Sequence, residues 1–499
     1  MTFSGILERQ RRTMDLAKEN LNKAFSLHSQ GDYKNAEKFY IKVLKENPHN
    51  SEALNLLGLL KYQTKNISDA EKFIKQAIKY EKNIYYYENL AGIYIKQEEW
   101  EKAICIIKEA FLTDNGSFTL WFNLGLAYKS LLNFEEAEKA YLKALQLKPH
   151  SEKANFNLAA LYLLLNNPHG AINYYNRVLK INPDDRESKY FLSLAYFRKK
   201  DYEHGFKYFE ERLCRETAIK TQEVTYPNLT LKAPLWQGEQ IFGKTIYVYY
   251  EAGFGDVIMF ARYLRELQTR CRKIIFKPQQ ELAEWFRENF PDIEIMDTFK
   301  DEKSISFDVH APILSLPYLL GRDNRNIFKP VSKYLSADKT KTDYYKTTFF
   351  NNSKTKIGIK WQGNTFYETG RVINVEAFNR LFALPDIQVY SCQTYEGSEE
   401  LKKLQDKNII DISHTFKNFS DTAAAVENMD LVICNDTSLA HVAGALGKKC
   451  AILLPYQYNW RWHMDLNHCD WYDSVKLYKR ERNETWQELM DRVISSEFK

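Results

Sequence analysis

Small residues return at a fixed interval through the first two hundred positions. Ala24, Gly58, Ala91, Gly125, Ala159 and Ser193 lie 34, 33, 34, 34 and 34 residues apart. A second series, Ala36, Ala70, Ala103, Ala137, Ala171 and Gly205, keeps the same spacings, and a third runs Val43, Ala77, Ala110, Ala144 and Val178. Three series holding one phase leave few architectures open. A repeat of this length is one supersecondary unit that cannot bury its apolar face alone, so its neighbours must stack on it. Each unit reads as two amphipathic helices joined by a polar turn. In one of them Trp121–Tyr128 is followed by Asn133–Ala137 and then by Tyr141 and Ala144. Small residues let the paired helices approach, and Tyr and Leu fill the gaps. Pro48, Pro149 and Pro183 close units.

The pattern resembles the tetratricopeptide repeat, whose period is 34 residues. It follows an N-terminal extension, 1–16, and covers 17–217 as about six repeats. The resemblance implies an α-helical solenoid with a groove lined by the first helix of each unit. The groove rows carry Phe122, Phe156, Tyr190 and Phe197. Beside them Asn89, Asn123 and Asn157 are spaced 34 and 34 apart. An amide offers donors and an acceptor together, so this ladder reads either as a clamp on an extended acceptor-protein backbone or as packing. The last unit departs from the pattern. Gly205 replaces Ala, and Arg212 falls where a small residue is expected, which reads as a cap leading into the next domain.

Aromatic residues make up 14% of the 499-residue chain, and many sit at packing phases such as Tyr94, Tyr128, Tyr162 and Tyr196. The hydrophobic fraction of 44% argues against a disordered chain, and a net charge of +5 argues against a strongly basic nucleic-acid binder. The seven cysteines are scattered without a CxxC pair, which fits reduced thiols. No apolar run is long enough to span a membrane, and Met1 to Gln30 has no apolar core of a signal peptide. The expected compartment is the cytoplasm.

After a linker at 218–240, strands and helices alternate twice, across 241–345 and 346–499. The first alternation opens with strand Ile246–Tyr250, Glu251-Ala-Gly-Phe-Gly-Asp256 and a helix over Val257–Gln268. It ends in a loop-rich stretch, Phe307–Ala337. The second opens with strand Lys356–Trp361 and a loop running to Arg371. Helix Val375–Ala383, strand Gln388–Cys392, helix Asp421–Asn428, strand Leu431–Cys434 and strand Cys450–Leu454 follow. The fold class is therefore an α-solenoid followed by α/β.

Two Rossmann-like halves without GxGxxG resemble the GT-B fold of glycosyltransferases. Glu251–Asp256, Trp361-Gln-Gly-Asn364, Arg371, Asp436-Thr-Ser-Leu-Ala-His441, Gly444-Ala-Leu-Gly447 and Trp460-Arg-Trp462 resemble the heptosyltransferase family (glycosyltransferase family 9). They are most similar to its branch fused to tetratricopeptide repeats. The resemblance covers about 204–490. The first half is shorter than in free-standing members, so its acceptor side is expected to be remodelled.

The residues themselves point to an anionic ligand. Asp436, Thr437 and Ser438 stand where a strand ends and a helix begins, where free N–H groups favour phosphate. His441 lies on the same helix face as Thr437. The resemblance assigns this segment to the donor phosphates and sugar. The alternative is a helix cap with a core histidine. Arg371 has the guanidinium suited to a diphosphate, or is a surface arginine. Trp361, Gln362, Gly363 and Gln393 follow strands, where α/β ligands bind. Trp460 and Trp462 either stack on a base or pack. Asp256 is read as the acceptor-activating base or as a cap, with Glu251 as the fallback base. No Asp-x-Asp motif occurs, and His463, His468 and Cys469 have no metal spacing. No metal or cofactor is therefore expected beyond a nucleotide-sugar co-substrate.

These readings lead to a glycosyltransferase that moves a sugar to a hydroxyl of a protein acceptor held in the repeat groove. The closest functional resemblance is to repeat-fused enzymes that glycosylate flagellin. Two rivals are a heptosyltransferase-like enzyme acting on a lipid or surface glycan, and a repeat scaffold whose transferase half is inactive.

Overall fold

The computed structural model describes residues 3–214, 231, 233–297, 305–321, 331–363, 369–404, 408–462 and 469–498, with side chains from Asp15 onward. Most of the 218–240 linker, together with His463 and His468, lies outside the described residues. The chain forms two compact units, Met1–Asp184 and Asp185–Lys499.

The first unit is helical throughout. Phe3–Ser29 pairs with Tyr33–Glu46, Ser51–Gln63 with Ile67–Tyr80, Ile84–Lys96 with Trp100–Phe111, Phe118–Ser130 with Phe134–Leu147, and Glu152–Leu164 with Pro168–Ile181. The helix starts are specified locally. Asp32, Asn50, Asn66, Ser117, Ser151 and Asn167 each accept a backbone N–H of their own first turn. The turns inside the pairs recur as strictly as the small residues do. Gly31, Lys65, Glu98, Leu132 and Asn166 all have φ between 56° and 83°. At each one the next residue's N–H reaches back five positions, as from Asn133 to the Tyr128 carbonyl at 2.9 Å. This is the Schellman closure of a helix, and the sequence places a glycine at only the first of these sites.

The small-residue series lies between paired helices. A Cβ on Gly58 would stand 2.5 Å from Ile74 Cγ1, and one on Gly125 would stand 2.5 Å from the Tyr141 ring. Tyr141 is fully buried. The aromatic excess is partly architecture: the hydroxyls of Tyr94 and Tyr162 donate to Glu71 and Glu138 of the preceding pairs at 2.8 and 2.6 Å.

The second unit begins with one more pair on the same period, Arg186–Arg198 and Tyr202–Phe209, with Lys200 at the left-handed turn. Two parallel sheets follow. The first contains β1 (Ile241–Tyr249), β2 (Cys271–Lys277), β3 (Glu294–Ile295) and β4 (Val309–Pro312) in the order β3-β2-β1-β4. The second contains β5 (Thr355–Lys360), β6 (Ile387–Ser391), β7 (Ile409–Asp411), β8 (Leu431–Asn435), β9 (Cys450–Leu454) and β10 (Val475–Lys479) in the order β10-β9-β8-β5-β6-β7. In both sheets the first strand is flanked by the second and the fourth. The direction of winding reverses there, which makes the carboxyl ends of β1/β4 and β5/β8 topological switch points.

The elements differ from the sequence reading in three places. The helix expected over Val257–Gln268 is two, Phe254–Ala261 and Leu264–Gln268. The Arg262 side chain takes the Met259 carbonyl at 2.8 Å, and the Tyr263 N–H turns to Phe260 instead. Val375–Ala383 is likewise split, into a 3₁₀ turn and a single α turn. The loop-rich stretch contains β4 and the helix Leu316–Gly321. Strands as short as β3, β4 and β7 are too brief to show a period. No described helix is long and apolar enough to cross a membrane.

The glycines of the repeats make a paired prediction. Gly92, in helix Ile84–Lys96, has open space where a Cβ would go. Gly92→Ala should therefore stabilise the chain by about 1 kcal/mol through helix propensity. Gly125→Ala should destabilise it by about 1–3 kcal/mol through overpacking against Tyr141. Denaturant midpoints of the two variants check the opposite signs.

Candidate functional site

A cleft of about 1300 Å³ opens within the second unit, where the carboxyl ends of its two sheets face each other. Gly253, Phe254 and Asp256 contribute from the first sheet's side. Lys360, Gln362, Gly363, Arg371, Asp436, Thr437, Ser438, His441 and Arg461 contribute from the second.

The two sides meet closely at one point. A Cβ on Gly255 would lie 2.6 Å from His441 Cδ2, so only a glycine lets helix Phe254–Ala261 come this near to helix Ser438–Ala445. His441 is 3% exposed and shares a hydrogen bond of 2.8 Å between Nδ1 and the Tyr472 hydroxyl. Burial, helped by the nearby positive charges of Arg262 and Arg371, lowers its pKa to about 3. It is a neutral imidazole at physiological pH.

Asp436 is 5% exposed, and Arg371 Nη1 donates to both its carbonyl and its carboxylate, at 2.9 and 3.3 Å. Burial raises the Asp436 pKa, and the guanidinium opposes that shift. Neither Asp436 nor Thr437 is a side-chain cap. Thr437 occupies the N-cap position by its backbone, yet its hydroxyl makes no cap bond. The first turn of helix Ser438–Ala445 is thus not closed by a side chain where it borders the cleft. Gly363 lies against Thr437, with a Cβ position 2.9 Å from Cγ2. The strand end, the Arg371 loop and the helix start therefore come together as the sequence reading expects.

Asp256 lines the cleft at 8% exposure. It is the third helical residue rather than the N-cap. One carboxylate oxygen accepts the Gly253 N–H at 3.2 Å, and the other pairs with Arg461.

Several expected site residues have other roles. Glu251, the fallback base, is 1% exposed and does not line the cleft. Its two oxygens accept from Arg212 Nε and Nη2 at 2.7 and 2.8 Å. Arg212 also holds Glu210 at 2.7 Å and Ser315 at 2.8 Å. Trp361 is fully buried in the core of the second sheet. Gln393 is fully buried as well; its oxygen accepts the N–H groups of Trp361 and Gln362, and its amide donates to the Gln362 and Glu396 carbonyls. It ties the ends of β5 and β6 together, and its polar capacity is spent on backbone. Trp460 stacks on Phe197 at 4.4 Å, and Trp462 stacks on His441 at 5.5 Å, so both pack.

The expected groove residues also divide. Phe197 is fully buried among Phe206, Phe209 and Trp460, and Tyr190 stacks on Phe209 at 6.0 Å. Both belong to the second unit. Phe122 and Phe156 remain half-buried in the first. Asn89 donates to Asn55 at 3.0 Å, and Asn157 accepts from Lys129 at 3.3 Å. Asn123 is buried. Two of the three amides thus bond side chains of the preceding repeat.

Sequence reasoning missed Lys360 and Tyr395, and quoted Arg461 only within the Trp460-Arg-Trp462 motif without a role of its own. Lys360 ends β5 at the switch point, is 8% exposed, and donates to Thr394 at 3.0 Å. Burial lowers its pKa. Its position at the carboxyl end of a strand was the available signal. Tyr395 is 88% exposed at the cleft, in a left-handed conformation with φ 58°. Among the described residues no group of three or more His, Cys, Asp or Glu side chains could hold a metal ion.

Comparison with known proteins bears on the first unit. Residues 27–88, 119–151 and 152–185 match families described as Tetratricopeptide repeat. The amino-terminal helices are tetratricopeptide repeats. Protein FlbA of Caulobacter vibrioides is 22% identical over 295 residues, 54% of this chain and 49% of that protein. The chain thus spans about half the length of this curated relative. Among solved structures, PilF of Pseudomonas aeruginosa is 16% identical with a TM-score of 0.38, over 42% of this chain and 97% of that one. YrrB, described as a tetratricopeptide-repeat protein with an unusual peptide-binding site, is 18% identical with a TM-score of 0.32, over 38% and 96%.

Two expectations follow from the buried charges. Arg212→Met removes the bidentate partner of the buried Glu251 carboxylate, and should cost about 3–5 kcal/mol in a denaturant titration. His441 acts through protonation. Its folded pKa lies below the ordinary 6.5, so as pH falls through that value the unfolded chain gains a proton that the folded chain refuses. Its contribution to stability is complete above about pH 6.5 and declines from there towards pH 3. His441→Gln should flatten the fall of the urea midpoint between about pH 7.5 and 5. A residual slope is expected from His310, whose pKa burial also lowers.

Proposed function

We propose that the chain is a glycosyltransferase that moves a sugar from a nucleotide donor to a hydroxyl of a protein held by the tetratricopeptide repeats. The observation that carries this reading is the composition of the cleft. One wall gathers Arg371, Lys360 and the start of helix Ser438–Ala445, and the other presents the Asp256 carboxylate. Cations and backbone N–H groups at a switch point suit the phosphates of a nucleotide. A carboxylate on the opposite side suits an acceptor hydroxyl.

In this mechanism the acceptor oxygen attacks the anomeric carbon of the donor sugar. The bond from that carbon to the phosphate oxygen breaks, and the nucleotide leaves with the electron pair. Arg371 and Lys360 steady the charge that develops on it. The hydroxyl proton passes to Asp256. Neutral His441 contributes shape and a hydrogen-bonded wall rather than charge. The exposed ring of Tyr395 at the rim offers a stacking face for a base. The repeats supply protein recognition, a role that their family supports.

The test is calorimetry of the full chain with UDP, GDP and ADP. Arg371→Ala and Lys360→Met should each weaken the tightest of these by at least about tenfold, the loss of one charged contact to phosphate. Unchanged affinity in both variants would remove the phosphate assignment. Transfer of radiolabelled sugar to lipid instead of protein would replace the acceptor class.

A further inference from the structure

Arg461 stands on the segment after β9, on the second sheet's side of the cleft. Its backbone is fixed, since its N–H donates to the Asn459 side chain at 3.3 Å and its carbonyl accepts from the Trp471 indole at 2.7 Å. Its side chain is 13% exposed and pairs with Asp256. Its guanidinium lies over the Trp460 ring at 5.0 Å.

That pairing leaves the guanidinium incompletely satisfied. The buried Nε makes no hydrogen bond. A guanidinium presents five donors in a fixed fork, and one carboxylate oxygen engages few of them. Burial lowers the Arg461 pKa to about 10, so the interior disfavours its charge, although it stays protonated at neutral pH. Asp256, by contrast, is well served, with Arg461 on one oxygen and the Gly253 N–H on the other. In this state each carboxylate oxygen already accepts one partner, and the cation has capacity to spare.

The pair also stands next to the phosphate-favouring wall. Gly255, the residue before Asp256, touches His441, which is one turn into helix Ser438–Ala445. Both Arg461 and Asp256 line the same cleft as Arg371 and Lys360.

We propose that Arg461 is a donor-binding residue that Asp256 holds in reserve: the nucleoside diphosphate competes with Asp256 for its guanidinium, and the transfer of Arg461 to phosphate frees Asp256 to activate the acceptor. This inference rests on the functional reading above and adds an order to it. Donor binds before the acceptor hydroxyl can be deprotonated, so the base is withheld until the leaving group is in place. The backbone of Arg461 is pinned, so the exchange is assigned to its side chain alone.

The competition predicts a gain in affinity that depends on Arg461. Removing the charge of Asp256 releases Arg461 and raises the fraction of chains competent to bind phosphate. In calorimetry of the full chain with UDP, GDP, ADP and inorganic pyrophosphate, Asp256→Asn should bind the tightest diphosphate several-fold more strongly than the unmodified chain. Asn keeps an oxygen for the Gly253 N–H, so the helix start is retained; Asp256→Ser removes the charge with a smaller side chain and gives an independent reading if the Asn variant does not fold. Arg461→Ala should bind at least about tenfold more weakly. In the double variant the gain from Asp256→Asn should vanish, because the residue it releases is gone. Affinity that is unchanged or weaker in both Asp256 variants overturns the proposal, as does a gain that persists without Arg461. Binding that depends on Arg371 and Lys360 but not on Arg461 or Asp256 overturns this inference alone. Failure of all four probes to bind the unmodified chain overturns both it and the functional reading.

Discussion

The ion pair between Arg212 and Glu251 holds the second unit in register. Arg212 lies in the 3₁₀ turn Glu210–Cys214 that follows the last helix pair, Glu251 stands two residues after β1, and both are almost completely buried. Two buried charges are tolerable only with good geometry and satisfied partners, and here the bidentate contact is completed by Glu210 and Ser315. The cleft depends on this arrangement because Glu251 stands two residues before Gly253. The position of the β1 end sets where helix Phe254–Ala261 starts, and hence where Gly255 meets His441 and Asp256 enters the cleft. A hydrophobic pair of the same volume would pack without specifying which atom of the strand end sits where.

The cleft itself shows a division of polar labour. The Gln393 side chain and the Asn435 amide nitrogen bond backbone groups of Trp361, Gln362 and Arg371, and so tie the strand end to the Arg371 loop. Beside them Lys360, Arg371 and Arg461 are held partly buried. Partly desolvated cations interact more strongly with an incoming anion than solvated ones do. The cost of burying them appears in the lowered pKa values of Lys360 and Arg461, both caused by desolvation.

The repeats were legible from spacing alone, because close helix packing demands a small residue at one phase of every unit. The left-handed turns were not legible, since Lys65, Glu98 and Leu132 occupy them and only Gly31 advertises the conformation. In the second unit the order of strands could be read only in outline. Strands of two to four residues, such as β3, β7 and β4, carry too little pattern to register. The candidate site divides similarly. Arg371, Asp436, Thr437, Ser438 and Gly363 follow strands in sequence and meet in space, because parallel strands deliver their following loops to one edge. Glu251, Trp361 and Gln393 follow strands too, yet their side chains turn into the core.

The sequence alone determined that helical repeats precede two alternating α/β layers, since periodicity is a property of neighbouring residues and the backbone geometry they share. It also indicated which strand-following segments border the cleft. Only the tertiary structure decided what each polar side chain does there. Arg212 departs from the repeat pattern, and the chain gives no sign that its partner is Glu251, 39 residues away. Asp256 and Arg461 are separated by 205 residues and joined only by folding. Charge pairing, burial and the accessibility of a carboxylate depend on which surfaces the core brings together. Those contacts are set by packing between distant segments, for which no local pattern is required.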